Sequence, residues 1–388
     1  MPLPNFADYR DVQLDDDLTE YNLPLAEKVK KVFEQCLVLP EQDVQLPLLV
    51  AYGLLPSAMT TVVPVLLLSG DKGSGKSTAM KVIAAIHNQC LLSAATSAVA
   101  IRNHINDSRW EHPQLLECEK NTLILFDNVS EETFKNEFLY MYFLNGYDRE
   151  TDNVMISSGV SGVNSVFKVY SPKVVSTIHS ILNNPQFGEL ARRCLVIRFE
   201  GVDSLFTDDS LKPKLCPLDT INLSTLPTEF NEFWNNEENL KEYASTKKRL
   251  YRMWKKDGVP KGFTAHNWVI SVDLLVTGCA VDLWDVNGGL SVLRRYWEWY
   301  EDKGKPPQSP LYLLLEQYID REMKIAERIG VEVVELSAKE LKIAVLDAAK
   351  NGQLDVEPRS ALIGDTMRQL GWSLEMNRKN QLTWRKKR

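Results

Sequence analysis

Cysteine is scarce, and its spacing suits neither disulfides nor metal. The six cysteines (Cys36, Cys90, Cys118, Cys194, Cys216 and Cys279) are scattered, with no CxxC pair and no Cys/His cluster. That excludes a zinc ribbon or a disulfide scaffold and points to free thiols in a reducing cytoplasm. Long apolar runs are missing as well. The best candidate, Leu46 to Met59, is interrupted by Pro47 and Pro56 and falls short of the ~18 residues a membrane span requires. Met1-Pro2-Leu3-Pro4 followed by Asp15-Asp16-Asp17 offers no basic or apolar region of a secretory signal, so a cytoplasmic location without a membrane partner is expected. A general positive field is absent too: the net charge is -7, and any contact with nucleic acid must use local patches. There is no internal repeat and no low-complexity tract. Hydrophobic residues at 44% and charged residues at 25% exclude a disordered chain and a coiled-coil rod. The 388 residues allow two or three domains at roughly 150 residues each.

What is present divides the chain into four stretches. Residues 1–60 read as helical, with Leu25, Val29, Val32 and Phe33 on one face and a second apolar stretch at Leu46–Leu55. From about Val62, short apolar runs alternate with amphipathic patterns. Val65–Leu68, Thr122–Phe126, Lys173–Ile178 and Leu195–Phe199 read as buried strands. Residues 61–205 are therefore expected to be an α/β layer with a largely parallel sheet between helices. Residues 206–305 read as a helical region. Pro306-Pro307-Gln308-Ser309-Pro310 reads as a linker. Residues 306–388 then form a small unit: a helix over Leu311–Ile329, a second opened by the capping box Ser337-Ala338-Lys339-Glu340, a third after Pro358, and a hairpin turning at Asn377-Arg378-Lys379-Asn380. Three helices followed by a hairpin is a winged-helix pattern.

The strongest motif is Gly70-Asp71-Lys72-Gly73-Ser74-Gly75-Lys76-Ser77, a complete GxxxxGK[ST] loop, with Thr78 next in the helix it opens. Glycines let consecutive backbone N–H groups wrap around phosphates, and the following helix adds its positive end. Lys76 is the residue that reaches the β- and γ-phosphates, and the Ser77 hydroxyl is an oxygen ligand for Mg²⁺. The flanks agree, since Val65–Leu68 enters the loop and Ala79, Val82, Ile83 and Ile86 give one apolar helical face. ATP and Mg²⁺ are the expected ligands. Leu123-Ile124-Leu125-Phe126-Asp127 is a second buried strand ending in a carboxylate, suited to the Mg²⁺ site beside Ser77. The interval between Lys76 and Asp127 leaves room for an extra strand near Leu91–Ala95 and a helix near Trp110–Cys118. A further strand, Val174–His179, ends in polar residues, and Arg192-Arg193 stands directly before Leu195–Phe199.

The order of these motifs resembles the AAA+ helicase domains of mobile elements: phage and plasmid primase–helicases related to superfamily 3 and to the minichromosome-maintenance helicases. The matching stretches are Gly70–Ser77, Leu123–Asp127, Phe143–Arg149, Val166–Val174 and Glu189–Phe199. The resemblance spans about residues 45–205 and implies a five-stranded parallel P-loop core, hexameric rings, ATP hydrolysis and work on DNA. It implies a sensor at Ser176 or Thr177. It also implies an arginine finger acting on a neighbouring subunit, with Arg193 ahead of Arg192. Next to Asp127 the family usually has a water-activating Glu. Here Asn128 fills the position, and an amide orients water but takes no proton.

The resemblance further implies that the strand–turn–strand of Asn153–Tyr170 lines a central pore and holds single-stranded DNA. Ser161 and Asn164 in its turn and Lys168 are the candidate contacts. Arg378 and Lys379 on the wing of the last unit are candidates for phosphate contact. Lys248, Arg249, Arg252, Lys255 and Lys256 form a basic helical face suited to phosphates or plain solvation. Arg294–Tyr300 is rich in aromatics that stack on bases or pack between helices. The expected function is a ring-forming, ATP-hydrolysing motor on DNA, the replicative helicase of a mobile element, with priming left to a separate primase or polymerase. Two alternatives stand beside it: an ATP-switched DNA-binding assembly protein that hydrolyses slowly, and a defence or regulatory ATPase whose winged helix binds protein.

Overall fold

A computed structural model describes residues 23–56, 59–88, 91–93, 96–97, 99–101, 103, 123–134, 136–157, 164–178, 187–206, 213–301, 310–328, 335–351, 360–369, 372–376 and 382–386. The chain forms two compact units, residues 1–178 with 193–305, and residues 179–192 with 306–388.

The first unit is built on a five-stranded sheet in the order β2-β3-β6-β1-β7. Its strands are β1 (Val65–Gly70), β2 (Leu91–Ser93), β3 (Ile124–Asp127), β6 (Lys173–Thr177) and β7 (Cys194–Phe199). Every neighbouring pair is parallel. These strands read as unbroken apolar runs because both faces of the sheet are buried, the rule for parallel sheets. Leu66, Leu68, Leu125 and Val174 face one core. Their alternates are buried on the other side, where Phe126 meets Phe143 edge-on at 6.0 Å. A separate antiparallel ribbon, β4 (Asn153–Ser157) with β5 (Asn164–Lys168), lies between β3 and β6 in the chain.

Helix α1 (Leu25–Cys36), α2 (Gln42–Gly53) and α3 (Lys76–Ile86) precede β2. After β3 comes α4 (Glu137–Asn145), and after β7 come α5 (Leu226–Asn235), α6 (Glu237–Asp257), α7 (Ala265–Ala280) and α8 (Val286–Trp299). Side-chain caps set the starts of α4, α6, α7 and α8: Asn136 accepts from Leu139 N, Asn236 from Glu238 N, Thr264 from Asn267 N and Asp285 from Gly288 N. The stretches expected as 1–60, 61–205 and 206–305 do not have separate cores. Phe33 and Leu49, Leu66 and Ile83, and Trp234, Trp268 and Tyr296 belong to one cluster. The reason is burial: α1, α2 and α5–α8 each carry an apolar face that packs against a neighbouring helix or the sheet within this one cluster.

Two features knit this unit. The outer edge of β7 would expose unpaired backbone groups. Tyr296 seals it, its hydroxyl accepting from Val196 N at 2.9 Å and donating to Val196 O at 2.8 Å. Gln45 does the same at Arg198 N, 2.7 Å. The aromatics near Arg294 are therefore packing residues at Tyr296 and Trp297, both buried. The second feature is Asp273, a carboxylate only 2% exposed. It accepts from Thr61 N, Val62 N, the Tyr243 hydroxyl and Lys247 Nζ at 2.9, 3.2, 2.9 and 2.7 Å.

The second unit contains α9 (Pro310–Arg328), β8 (Glu335–Ser337), α10 (Ala338–Lys350), α11 (Ser360–Gln369), β9 (Trp372–Met376) and β10 (Leu382–Lys386). Leu315, Leu341, Val345, Met367, Trp372 and Trp384 make its own core. The sheet is antiparallel in the order β8-β10-β9. The three helices and the last hairpin match the sequence pattern; β8 does not show in it, because its three residues are too few for an alternation. Ser337 ends that strand and also caps α10, accepting from Glu340 N. Among the described residues no helix is long and apolar enough to cross a membrane.

Candidate nucleotide site

The loop between β1 and α3 has its shape enforced by packing. A Cβ on Gly70 would stand 2.0 Å from the Phe199 carbonyl oxygen. Gly75 has φ +99°, and a Cβ there would meet Leu37 at 2.9 Å. No side chain fits at the first position, and an L residue is strained at the second. Within the loop, Ser74 Oγ donates to Asp71 O at 2.8 Å. Asp71, Lys72 and Gly73 are exposed along its outer side.

Lys76 is only 7% exposed. Its ammonium donates to Gly70 O at 2.7 Å, Asp71 O at 2.5 Å and Ser74 Oγ at 3.4 Å. Burial pulls this ammonium below the usual lysine range, and the charges of Asp71 and Asp127 oppose the pull. A cation held only by neutral oxygens at a glycine loop is a favourable partner for an anion, because charge-assisted bonds are roughly twice as strong as neutral ones.

Three strand ends meet beside it. Ser77 Oγ donates to both Asp127 oxygens, at 3.2 and 3.1 Å. Ser176 Oγ donates to Asp127 Oδ1 at 2.5 Å and accepts from Asn128 N at 2.8 Å. The Asp127 carboxylate is thus held from two sides, by the helix of the P-loop and by β6. Adjacent oxygens of an octahedral Mg²⁺ shell with bonds of ~2.1 Å stand roughly 3 Å apart. The Ser77 and Asp127 oxygens meet that spacing, so these residues fit Mg²⁺. Among the described residues no group of three or more His, Cys, Asp or Glu could hold a metal. One carboxylate and one hydroxyl are the sparse donor set of an ion that keeps waters and phosphate oxygens as its other ligands.

Of the two expected sensor positions, the geometry brings Ser176 to Asp127. Thr177 is wholly buried and lies on the other face of β6, in register with Ser69. Asn128 adopts φ +58°, the left-handed region that Asn tolerates better than most residues, and it is exposed.

Arg193 donates through Nη1 to Leu144 O, and its guanidinium sits 4.4 Å over the Tyr147 ring. Those contacts hold it against its own chain. Arg192 is 62% exposed at its side chain and pairs with exposed Glu189 at 3.3 Å. Lys168 is an ion-pair partner of buried Asp152, at 3.3 Å. Asp152 also accepts from Tyr170 N at 3.3 Å, so Lys168 fixes the base of the β4–β5 ribbon. Ser161, Arg378 and Lys379 lie outside the described residues, as does the helix expected near Trp110–Cys118; Asn164 begins β5. Sequence reasoning passed over Asp273, although a lone carboxylate inside the apolar run of α7 was a visible signal.

No protein-family model matches the chain, and no curated protein matches it. The chemistry of the site alone therefore carries the functional reading.

Proposed function

We propose that this chain is an ATP-binding, ATP-hydrolysing enzyme of the AAA+ type that acts on DNA as an oligomeric ring. The carrying observation is the hydrogen-bonded set Ser77, Asp127 and Ser176, together with the Lys76 ammonium held on the loop carbonyls of Gly70 and Asp71, at the carboxyl ends of β1, β3 and β6, the position where open parallel sheets bind ligands. The loop from Gly70 to Thr78 cradles the triphosphate, with Lys76 turning from its carbonyls to the β- and γ-oxygens. Ser77 and Asp127 hold Mg²⁺, which neutralises charge on the phosphates. Ser176 fixes the carboxylate. The strand β6 inserted between β1 and β3 favours the AAA+ reading over simpler nucleotide kinases. Arg192, exposed where Arg193 is half-buried, suits a finger reaching into a neighbouring subunit better than Arg193. The second unit serves as a winged helix that docks on DNA, and a separate chain supplies priming.

Asn128 favours a second reading, a nucleotide-switched assembly that turns over slowly, because this amide cannot act as a general base. ATP turnover with and without single-stranded DNA, for wild type and Lys76→Ala, separates them. Fast, DNA-stimulated turnover that Lys76→Ala abolishes supports the motor. Tight nucleotide binding with negligible turnover supports the switch, and absence of nucleotide binding ends both.

A further inference from the structure

Helix α6 carries a charge concentration that the nucleotide site does not use. Between Lys247 and Lys256 it has Lys247, Lys248, Arg249, Arg252, Lys255 and Lys256 and no carboxylate, in a chain of net charge -7. Helix periodicity sorts these cations. Lys247 turns inward and is neutralised by Asp273 at 2.7 Å. Lys248, Arg252 and Lys255, at i, i+4 and i+7, form one exposed stripe. None of the three has an ion-pair partner among the described residues.

The stripe borders an open groove of about 640 Å³ whose walls include Met59, Tyr243 and Tyr251. Tyr251 is 37% exposed and leans on Trp254, with ring centroids 5.8 Å apart and planes at 36°. It is therefore a supported aromatic surface rather than a loose side chain. Asp148 and Glu150 bring negative charge near this tyrosine, so that end of the groove suits an uncharged base and the cation stripe suits phosphates.

We propose that this groove binds single-stranded nucleic acid, with Lys248, Arg252 and Lys255 on successive phosphates and a base against Tyr251. The inference deepens the proposed action on DNA by naming a second contact surface beside the candidate residues of the β4–β5 ribbon. At 1.5 Å per residue the stripe is ~10 Å long, about three times the ~3.4 Å rise per nucleotide of a duplex strand, which leaves room for three phosphate contacts. Aromatic–base stacking together with a cationic track is the arrangement that binds single strands without reading sequence. An anionic membrane would engage the same cations and is the alternative that the test separates.

The test uses the full chain, a fluorescent single strand of mixed sequence, and anisotropy titrations across a salt series with nucleotide present. The variants are Lys248→Glu/Arg252→Glu/Lys255→Glu and Tyr251→Ala. Each single-strand phosphate contact contributes about -0.7 to the slope of log K against log salt. The triple variant should therefore lose about 2 from that slope and bind roughly 100-fold more weakly at 0.1 M salt. Tyr251→Ala should weaken binding roughly 5- to 150-fold with the slope kept. ATP affinity should be unchanged in both, which shows that they are folded. Wild-type binding that neither variant disturbs overturns this inference and leaves the DNA reading standing. A wild type that binds ATP but no strand overturns both. Capture of phosphatidylserine vesicles, lost in the triple variant, with no affinity for the strand, assigns the groove to a membrane surface and overturns the inference.

Discussion

Replacing Ser176 by Ala isolates the residue on which the proposed Mg²⁺ half of the site depends. The side chain is 2% exposed and makes two hydrogen bonds, donating to Asp127 Oδ1 at 2.5 Å and accepting from Asn128 N at 2.8 Å. A hydrogen bond to a charged group contributes about 1.5–3 kcal/mol, which is roughly 10- to 150-fold in an equilibrium constant. With that bond gone, Ser77 is the only described residue shown holding the carboxylate, and Asp127 must be ordered anew each time Mg²⁺ enters. The loss should therefore fall on the Mg²⁺-dependent part of ATP affinity, by about 10- to 100-fold. Binding in EDTA rests on the loop amides and Lys76 and should change less than about 2-fold. A fluorescent ATP analogue titrated with Mg²⁺ and with EDTA measures both, and the nucleotide-free melting temperature controls for folding. Thr177→Val is the matched control, on the same strand but on the opposite face, and should leave the Mg²⁺ effect intact. If Ser176→Ala weakens ATP equally in Mg²⁺ and in EDTA, or leaves both unchanged, the positioning role assigned to Ser176 is wrong.

Gly70→Ala should abolish nucleotide binding and destabilise by more than about 2 kcal/mol, because its Cβ would collide with the Phe199 carbonyl at 2.0 Å. Gly73→Ala meets nothing within 4 Å and should cost only about 1 kcal/mol for its positive φ, measured by urea unfolding. Asp273→Ala strands the Lys247 ammonium, the Tyr243 hydroxyl and two backbone N–H groups, and should cost about 3–5 kcal/mol in the same assay. His87 should make stability pH-dependent. Burial holds its imidazole at about 4 against 6.5 when open, so the fold keeps it neutral while the unfolded chain takes a proton. Its contribution is full above pH 6.5 and fades as pH falls towards 4; between pH 7 and pH 5 about 2 kcal/mol should be lost, and His87→Gln should remove that slope. Arg192→Ala should cut turnover at least 10-fold with the melting temperature kept. Arg193→Ala should instead lower the melting temperature, through the loss of its contacts with Leu144 and Tyr147; the reverse pattern would restore Arg193 as the finger.

The elements legible in the sequence were those set by local rules. Buried strands announce themselves as short apolar runs, and Ser337 announces a helix start. A phosphate loop is a contiguous string whose glycines answer to sterics within a few residues. Unit boundaries at 60 and 205 were another matter. Whether α1, α2 and α5–α8 fold apart from the sheet depends on which apolar faces meet, and composition along the chain does not encode that. The surroundings of Arg193 are hidden for the same reason: its position before a strand suggests an arginine finger, and its contacts with Tyr147 and Leu144 come from a distant part of the chain.

The choice between Ser176 and Thr177 shows where the boundary of legibility falls. Along a strand buried on both faces, hydropathy carries no alternation, so neither residue can be assigned a side from sequence. Placing one neighbour settles the matter. Leu125 and Val174 both face the core that α3 enters. Two residues on, by the period of a strand, Asp127 and Ser176 return to that face beside Ser77, and Thr177 cannot. The same geometry gives Asn128 a reason of its own. The chain must turn sharply after Asp127 so that Asn128 N and Val129 N can bond to Ser176 Oγ and O, at 2.8 Å each. That turn needs a positive φ, where Asn is favoured and a glutamate costs about 1 kcal/mol or more. The absence of a glutamate beside Asp127 is thus tied to the way this carboxylate is anchored. Asn128→Glu should exchange some stability for turnover, and an increase in the hydrolysis rate with a lowered melting temperature is the paired outcome that links the two.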